Sequence, residues 1–187
     1  MSGKFEVREC AIPDVKIIRA ATFTDPRGFF SETYARGEFA ALGIDCAFVQ
    51  DNLSLSNAAG TVRGLHFQIA PYAQAKLVRV LRGRAQGAAL DLRRSSPSFG
   101  KHVTVELTAD SGDMFFLPGG FAHGFCTLDP ETLVFYKVDN PYSAAHERGI
   151  YFADPDLGIR WPVAEHDAIL SERDRKLPRF READYFD

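Results

Sequence analysis

The chain has 187 residues, a length typical of one domain with a sizeable core, so we predict a single domain over residues 1–187. Hydrophobic residues make up 45% and charged residues 25%, as in ordinary globular proteins, and a net charge of −3 argues against a nucleic-acid partner. No apolar run approaches the roughly 20 residues of a membrane span, and charges at Lys4, Glu6 and Arg8 interrupt any signal-peptide pattern. Three widely spaced cysteines fit neither a disulfide framework nor a zinc site, so we predict a reducing, cytoplasmic location.

In chain order, the sequence predicts many short strands and few helices. A helix is predicted over Arg36–Leu42, ended by Gly43, and a short second helix is predicted from Ser171. The segment Arg82–Arg84, with glycine at its centre, predicts a hairpin between the strands on either side. Closely spaced short strands indicate a sandwich or a small barrel. The predicted strands, bounded by Gly, Pro, Asp or Ser, are Val15–Ala20, Phe29–Tyr34, Ala47–Leu55, Ala75–Leu81, Ala85–Leu92, His102–Leu107, Met114–Leu117, Gly124–Leu128 and Leu133–Val138.

The most informative segment runs from residue 63 to residue 80. Arg63, His66 and Lys76 lie in sequence typical of buried strands, where an unpaired charge is costly. A histidine suits a base, a lysine an oxyanion, and an arginine a phosphate. Alternatively, His66 is an interior histidine with satisfied hydrogen bonds, and the two cations are surface groups. Because Arg63 and His66 would point to opposite faces of a regular strand, a shared site requires a bend, for which Gly64 is the candidate.

Polar side chains also collect in two earlier segments. Asp-Pro before Arg27 and glycine after it favour a turn, and the strand that follows carries Glu32. Both side chains are candidates for ligand contacts, unless the segment is only a structural turn. Gln50, Asp51 and Asn52 interrupt an apolar run with three poor strand formers. They offer donors and acceptors to a base or a ribose, or else they mark a bulge or an exposed edge.

Two further candidates lie in the second half of the chain. His123 follows a Pro-Gly-Gly turn, and Tyr136 lies within a predicted strand. Two histidines suggest a metal site, but a cupin metal site usually has a His-x-His pair. Here Gln68 stands two residues beyond His66, so we predict no metal. Tyr136 is either a proton donor or a core aromatic with a satisfied hydroxyl.

The charged segment at residues 171–176 has two interpretations. Ser171 and Asp174 have the spacing of a capping box, and the charges of Glu172, Arg175 and Lys176 fit a solvated turn. For Asp174, the alternative to this structural role is to orient His66.

Ten short motifs are spread over Ile12–Pro178. They are Asp-x-Arg-Gly-Phe-Phe (Asp25–Phe30), Gln-Asp-Asn (Gln50–Asn52), Arg-Gly-Leu-His-Phe-Gln (Arg63–Gln68), Lys-Leu-Val-Arg-Val (Lys76–Val80), Asp-Leu-Arg-Arg-x-Ser-Pro-x-Phe-Gly (Asp91–Gly100), Pro-x-Gly-Phe-Ala-His-Gly-Phe (Pro118–Phe125), Phe-Tyr-Lys (Phe135–Lys137), His-Glu-Arg-Gly-Ile (His146–Ile150), Asp-Pro-x-Leu-Gly-Ile-x-Trp-Pro (Asp154–Pro162) and Leu-Ser-x-x-Asp (Leu170–Asp174). Because these motifs occur in this order and at this spacing, the sequence resembles the dTDP-4-dehydrorhamnose 3,5-epimerase family. Any one motif is a weak signal, whereas ten together are a strong one.

The resemblance implies an all-β, cupin-type jelly-roll sandwich with a few short helices, and an isomerase that needs no metal or organic cofactor. The implied substrate is dTDP-4-dehydro-6-deoxy-D-glucose, whose C4 ketone acidifies the protons at C3 and C5. Inversion of both carbons gives dTDP-4-dehydro-L-rhamnose, for L-rhamnose biosynthesis. Inversion requires a base on one face of the sugar, an acid on the other face, and a group that stabilises the enolate oxygen. By position, the resemblance implies that His66 is the base, Asp174 its orienting carboxylate, Lys76 the cation near the C4 oxygen and Tyr136 the acid.

The resemblance also implies substrate contacts and an assembly. A homodimer with strands shared across the interface is implied, which covers open sheet edges, and Arg27 is predicted to reach the partner's site. The implied substrate-binding residues are Arg27, Glu32, Gln50, Asp51, Asn52, Arg63, Lys76, His123, Glu147 and Arg173.

Two positions depart from the family pattern. Pro141 replaces the first of two aromatics, which in the family is placed to stack near the ligand, and Arg173 stands where lysine is common. Pro141 leaves open a single-carbon epimerase of a related keto-sugar nucleotide. A metal-dependent cupin enzyme is also compatible with the fold, but the missing His-x-His pair argues against it. An inactive sugar-nucleotide-binding protein would share the binding residues, but the presence of all four candidate catalytic residues argues against that function.

Overall fold

Antiparallel strands dominate the computed structural model, which describes residues 3–187. Its one α-helix, α1, spans Arg36–Ala41, and three short 3₁₀ helices span Glu165–Asp167, Asp174–Lys176 and Phe180–Glu182. Within residues 3–187, no helix has both the length and the apolar character needed to cross a membrane. The strands are β1 (Phe5–Glu9), β2 (Lys16–Ala20), β3 (Phe23–Asp25), β4 (Gly28–Phe30), β5 (Gln50–Ser56), β6 (Val62–Gln68), β7 (Lys76–Arg82), β8 (Arg84–Asp91), β9 (His102–Thr108), β10 (Asp113–Leu117), β11 (Phe121–Thr127), β12 (Thr132–Val138) and β13 (Glu147–Gly149).

Two sheets form a sandwich. The six-stranded sheet has the order β1-β2-β10-β7-β12-β5, and the five-stranded sheet has the order β13-β6-β11-β8-β9. Neighbouring strands in both sheets are antiparallel. β3 and β4 form a separate hairpin. The prediction of an all-β sandwich with few short helices is therefore confirmed.

The interior of the sandwich is apolar because alternate residues of each strand point inward. Val78 and Val80 of β7 pack in one cluster with Phe115 of β10 and with Phe121 and Phe125 of β11. The cluster joins the two sheets and fixes the positions of strands such as β7 and β11. The same strands carry polar residues beyond the apolar cluster. Those polar residues line the opening at one end of the sandwich.

Two further clusters cover parts of the outer faces. On the six-stranded sheet, Phe39 of α1 packs with Ile18 and Leu77. On the five-stranded sheet, Leu65 packs in a cluster that includes Phe180 from the C-terminal segment. The C-terminal segment is thereby held against β6, the strand that carries His66.

The hairpin predicted around Gly83 is wrong. β7 belongs to the six-stranded sheet and β8 to the five-stranded sheet, so the turn between them crosses from one layer to the other. Gly83 has a φ of 77°, and a Cβ there would lie 2.6 Å from Oγ1 of Thr132. A turn that contains glycine can connect two strands of one hairpin or two strands in different sheets. The residue composition of the turn does not distinguish these cases.

Other predicted elements differ in extent. The strand predicted at Phe29–Tyr34 is in the structure the hairpin β3–β4, which ends at Phe30. The first predicted helix agrees with α1, and Gly43 follows it with a φ of 77°. The helix predicted from Ser171 is a single 3₁₀ turn at Asp174–Lys176. β1, β3 and β13 were not predicted, because the first alternates charged residues and the other two have only 3 residues each.

Candidate active site

A cavity of about 430 Å³ opens between the two sheets. A smaller cavity of about 140 Å³ adjoins it, and both are lined by His66, Lys76 and Tyr136. Of the other predicted site residues, Arg63, His123, Arg173 and Asp174 line the larger cavity, and Gln50, Asn52 and Glu147 line the smaller one. The fold thus brings together ten of the residues predicted from sequence, from β5, β6, β7, β11, β12, β13 and the C-terminal segment.

His66 is bound by a buried carboxylate. Its Nε2 lies 2.6 Å from Oδ1 of Asp174, whose side chain is 5% exposed. The backbone N–H of Asp174 donates to Oγ of Ser171 at 3.0 Å, the bond expected from the capping-box spacing. Burial alone would raise the pKa of Asp174, but the hydrogen bond and charge of His66 outweigh it and lower the pKa. The carboxylate of Asp174 is therefore ionised and holds the imidazole of His66 in one orientation.

Gly64 allows Arg63 and His66 to face one cavity. Gly64 has a φ of 115°, and the pairing of β6 with β11 shifts register between His123 and Phe125. A Cβ at residue 64 would lie 2.6 Å from the backbone oxygen of His123, so only glycine fits. In a regular strand the side chains of Arg63 and His66 would point to opposite faces of the sheet. The register shift at Gly64 turns both of them toward the same cavity. The predicted bend at Gly64 is confirmed.

Lys76 lies buried in the wall formed by the six-stranded sheet. Its Nζ donates to the backbone oxygen of His66 at 3.3 Å and forms no ion pair with residues 3–187. Burial lowers the pKa of Lys76 to about 8, although the charge of Glu147 opposes the shift. A cation in this environment gains strongly from an oxyanion placed in the cavity.

Tyr136 reaches the cavity from β12, between Asn52 of β5 and Val78 of β7. His66 belongs to the five-stranded sheet, so the two side chains approach the cavity from opposite walls. Burial, followed by the charge of Glu147, raises the pKa of Tyr136. Its phenol therefore keeps its proton at neutral pH.

His123 lines the cavity as a neutral imidazole. Burial, followed by the charges of Lys76 and His66, lowers the pKa of His123 well below its ordinary value. Its Nε2 is buried and has no hydrogen-bond partner among the described residues. Such a nitrogen is available to a bound ligand as donor or acceptor. Within residues 3–187, no group of three or more His, Cys, Asp or Glu side chains is arranged to hold a metal ion.

Hydrogen bonds connect the residues on the rim. Oε2 of Glu147 accepts from the hydroxyl of Tyr142 at 2.6 Å and from Nη1 of Arg173 at 2.7 Å. The backbone N–H of Tyr142 donates to Oε1 of Gln50 at 2.9 Å, and Nε2 of Gln50 donates to Oδ1 of Asn52 at 2.8 Å. The backbone donor fixes the direction of both amides. Asn52 is consequently left with its NH₂ group as a donor for the cavity.

Three predicted binding residues lie outside both cavities. Asp51 points to the opposite face of β5 from Asn52 and accepts from Nζ of Lys137 at 2.8 Å. Because adjacent strand residues face opposite sides, Asp51 is turned away from both cavities of its own chain, and its role as a substrate contact stays a prediction. Arg27 is 90% exposed and pairs with Asp25 of its own turn. Glu32 pairs with Lys4.

The family model described as dTDP-4-dehydrorhamnose 3,5-epimerase matches residues 9–182 of the chain. The chain belongs to this family. It is 48% identical to the dTDP-4-dehydrorhamnose 3,5-epimerase of Sinorhizobium fredii over 168 residues, which cover 90% of this chain and 86% of the relative. This membership favours the epimerase interpretation over a metal-dependent cupin enzyme.

Solved structures of the epimerase family share the fold. The dTDP-4-dehydrorhamnose 3,5-epimerase of Bacillus anthracis, with TDP and PPi bound, has a TM-score of 0.91 and 46% identity, covering 94% of this chain and 99% of its own. A dTDP-6-deoxy-D-glucose-3,5-epimerase of Legionella pneumophila, in complex with dTDP-4-keto-L-rhamnose, has a TM-score of 0.91 and 38% identity, covering 96% of this chain and 95% of its own. The cupin-type jelly roll implied by the sequence is confirmed.

Pro141, where the chain departs from the epimerase family, is not part of the walls of either cavity. Its backbone oxygen accepts from Nε2 of Gln68 at 3.1 Å. The next residue, Tyr142, supplies an aromatic ring at the rim.

Three polar residues that line the smaller cavity were missed, namely Gln68, Gln74 and Tyr142. Gln68 has the same strand parity as His66, a signal that was available in the sequence. Gln74 and Tyr142 lie in two loops outside the strands. A hydrogen bond connects these loops, since Nε2 of Gln74 donates to the backbone oxygen of Asn140 at 2.7 Å. Loop positions carry no strand parity, so no pattern in the sequence indicated them.

Proposed function

We propose that this protein inverts C3 and C5 of dTDP-4-dehydro-6-deoxy-D-glucose and forms dTDP-4-dehydro-L-rhamnose. Family membership and the names of the relatives support the substrate and the reaction. One observation about the chain itself carries the proposal. A carboxylate-bound histidine and a protonated phenol face one cavity from opposite sheets, with a buried ammonium group beside them.

The proposed mechanism needs only proton transfers and the ketone of the substrate. Neutral His66 removes the proton from C3 or C5, and the C–H bonding electrons move through the C–C bond to the C4 oxygen. Lys76 stabilises the resulting enolate, and its charge acts strongly there because its side chain is buried. Asp174 holds the imidazolium that His66 has become.

Reprotonation completes the inversion. Tyr136 donates its hydroxyl proton to the same carbon from the opposite face, and the enolate electrons form the new C–H bond. His66 then loses its proton to solvent and Tyr136 regains one, so the enzyme returns to its starting state. The raised pKa of Tyr136 favours this role, since the group must be protonated when the enolate forms.

Binding is assigned to the polar residues around this centre. Arg63 and Arg173 supply positive charge near the mouth of the larger cavity, where a diphosphate would lie. Hydrogen-bonding groups for the sugar and the nucleoside are supplied by His123, Gln50, Asn52 and Glu147. Lys76 supplies such a group for the ketone.

Solvent exchange tests the proposal. The protein is incubated with dTDP-4-dehydro-6-deoxy-D-glucose in heavy water, and deuterium at each carbon is followed by NMR. We expect deuterium at both C3 and C5 and a product with both carbons inverted. Deuterium at one carbon only would establish a single-carbon epimerase, and deuterium at neither would refute the proposal.

We also propose a homodimer in which two copies meet through the uncovered part of the six-stranded sheet. Leu53, Leu55 and Leu81 are 63%, 43% and 42% exposed on that face. Arg79 lies among them with a buried Nε that lacks a partner within residues 3–187. An apolar face of this kind with an unpaired guanidinium fits a second copy of the chain.

The hairpin β3–β4 is proposed to extend into the partner's site. Phe29 and Phe30 of β4 are 75% and 68% exposed, and Arg27 lies in the turn at the tip of the hairpin with its side chain 90% exposed. Mixing Arg27→Ala with His66→Asn tests this arrangement, because a heterodimer would contain one intact site of two. We expect activity to return after subunit exchange. No recovery in a mixture shown to exchange subunits would mean that Arg27 acts in its own chain or not at all.

Two further proposals concern the domain organisation and the location of the protein. We propose that residues 1–187 form one domain, since both sheets contribute to the cluster between them. A cytoplasmic location is also proposed, supported by Cys10, Cys46 and Cys126, all of which are free thiols.

A further inference from the structure

Arg63 belongs to one sheet, but its guanidinium group is held by the other. The residue lies on β6 of the five-stranded sheet. Its Nε donates to Oγ of Ser56 at 3.2 Å, and its Nη2 donates to the backbone oxygen of Leu55 at 3.0 Å. Both acceptors lie on β5, the edge strand of the six-stranded sheet. The guanidinium therefore bridges the two walls at the side of the larger cavity.

The charge of Arg63 is not neutralised within the described residues. A guanidinium has five N–H donors, and here one from Nε and one from Nη2 bind uncharged oxygens. No carboxylate within residues 3–187 forms an ion pair with Arg63, whereas Arg173 on the same cavity is paired with Glu147. The remaining N–H groups and the full positive charge of Arg63 are thus available to an anion in the cavity.

Ser56 is suited to fix the orientation of this group. It is 2% exposed, and its backbone is paired with Thr132 in the ladder between β5 and β12. The Ser56 hydroxyl therefore has a fixed position, whereas the exposed arginine side chain would otherwise sample many rotamers. Restricting those rotamers before the ligand arrives removes part of the entropy cost of binding.

We propose that Ser56 is a positioning residue that orients Arg63 toward the diphosphate of the sugar nucleotide. The inference rests on the proposed function, because that function supplies the diphosphate. Ser56 does not contact the ligand. It acts through Arg63 alone, so its effect falls on binding and not on proton transfer.

A double-mutant cycle tests the inference, with dTDP as the probe and calorimetry as the measurement. We expect Ser56→Ala to weaken dTDP binding about five- to tenfold, the loss typical of one ordinary hydrogen bond, because Ser56 acts on the ligand only through Arg63. The KM should rise by a similar factor while kcat stays within about twofold. Ser56→Thr, which keeps the hydroxyl, should restore binding. Ser111→Ala removes a hydroxyl from a turn far from the cavity and should leave dTDP binding unchanged.

The second arm of the cycle uses Arg63→Lys, whose ammonium has no Nε for Ser56 to hold. In that background, Ser56→Ala should have no further effect on dTDP binding. Equal losses in both backgrounds would show that Ser56 acts through the strand and not through Arg63, and would overturn the inference. So would unchanged binding in Ser56→Ala.

If Arg63→Lys alone bound dTDP as tightly as the parent, the assignment of Arg63 to the diphosphate would be overturned, and the inference with it. The epimerase activity is decided separately, by deuterium uptake in heavy water. The two failures are therefore distinguishable.

Discussion

The two walls of the larger cavity hold their ionisable side chains in different ways. On the five-stranded wall, His66 is bound to a buried carboxylate at 2.6 Å. On the six-stranded wall, Lys76 and Tyr136 contact no carboxylate within residues 3–187, and burial lowers the pKa of the lysine to about 8 and raises that of the tyrosine. The first wall places a carboxylate beside the candidate base, whereas the second wall offers a buried cation and a protonated phenol to an enolate oxygen.

Removing the base tests the first wall most severely. His66→Asn should slow deuterium uptake at C3 and C5 by about 10²- to 10⁴-fold, the usual range for loss of a general base. Binding of dTDP should survive, because phosphate binding is assigned to Arg63 and Arg173. Calorimetry with dTDP provides the control. Exchange at the parent rate in a variant that still binds dTDP would contradict the assignment of His66.

Removing the charge behind the base should have a smaller effect. Asp174→Asn keeps the size of the side chain but lacks the negative charge that stabilises a protonated His66. We expect kcat to fall by roughly 10²-fold, with dTDP binding little changed. Asp167→Asn alters an exposed carboxylate nearby in sequence and should retain parent activity. A kcat of Asp174→Asn close to that of the parent would mean that the carboxylate only caps the 3₁₀ turn.

The pKa of Lys76 predicts an alkaline limit to activity. The ammonium form stabilises the enolate and is populated below pH 8, so kcat/KM should fall about tenfold per pH unit well above this value. The pH–rate profile of the parent shows this limb directly. The slower variant Lys76→Met should lack it, since methionine does not titrate. A parent profile that is level to pH 10 would contradict the role of the cation.

The same residue predicts a pH-dependent difference in stability. The pKa of Lys76 is about 8 when folded and 10.5 as its ordinary value, so between these values the unfolded chain binds more protons. The free energy of unfolding contributed by this group therefore rises with pH through that window. Lys76→Met should be more stable than the parent by up to about 3 kcal/mol below pH 8, and the gain should shrink toward pH 10.5. Urea unfolding at pH 7 and pH 10 measures it, and an equal difference at both values would contradict the account.

Local patterns predicted much of the fold. The strand predicted at Leu133–Val138 is Thr132–Val138 in the structure, and the helix predicted at Arg36–Leu42 ends one residue earlier. These elements are short and bounded by turn residues, and their periodicity is determined by nearby sequence. The family resemblance likewise predicted a pairing of His66 with Asp174, and Nε2 of His66 lies 2.6 Å from Oδ1 of Asp174 in the structure.

The errors concern contacts between distant parts of the chain. The glycine turn at Gly83 joins two layers, and only the packing of whole sheets decides that. The anchoring of Arg63 by Ser56 joins two sheets across 7 residues of sequence and has no local signature. Such relations follow from tertiary structure, which periodicity does not encode.

The most direct test of the two-walled site is the Tyr136→Phe variant in heavy water. Proton removal by His66 does not use the phenol, so deuterium uptake at C3 and C5 should persist, while inversion should be lost because the opposite face has no donor. NMR of the recovered sugar nucleotide measures both quantities in one sample. We predict deuterated sugar with its original configuration. An equal loss of exchange and inversion, in a folded variant that still binds dTDP, would contradict the assignment of the acid to the six-stranded wall.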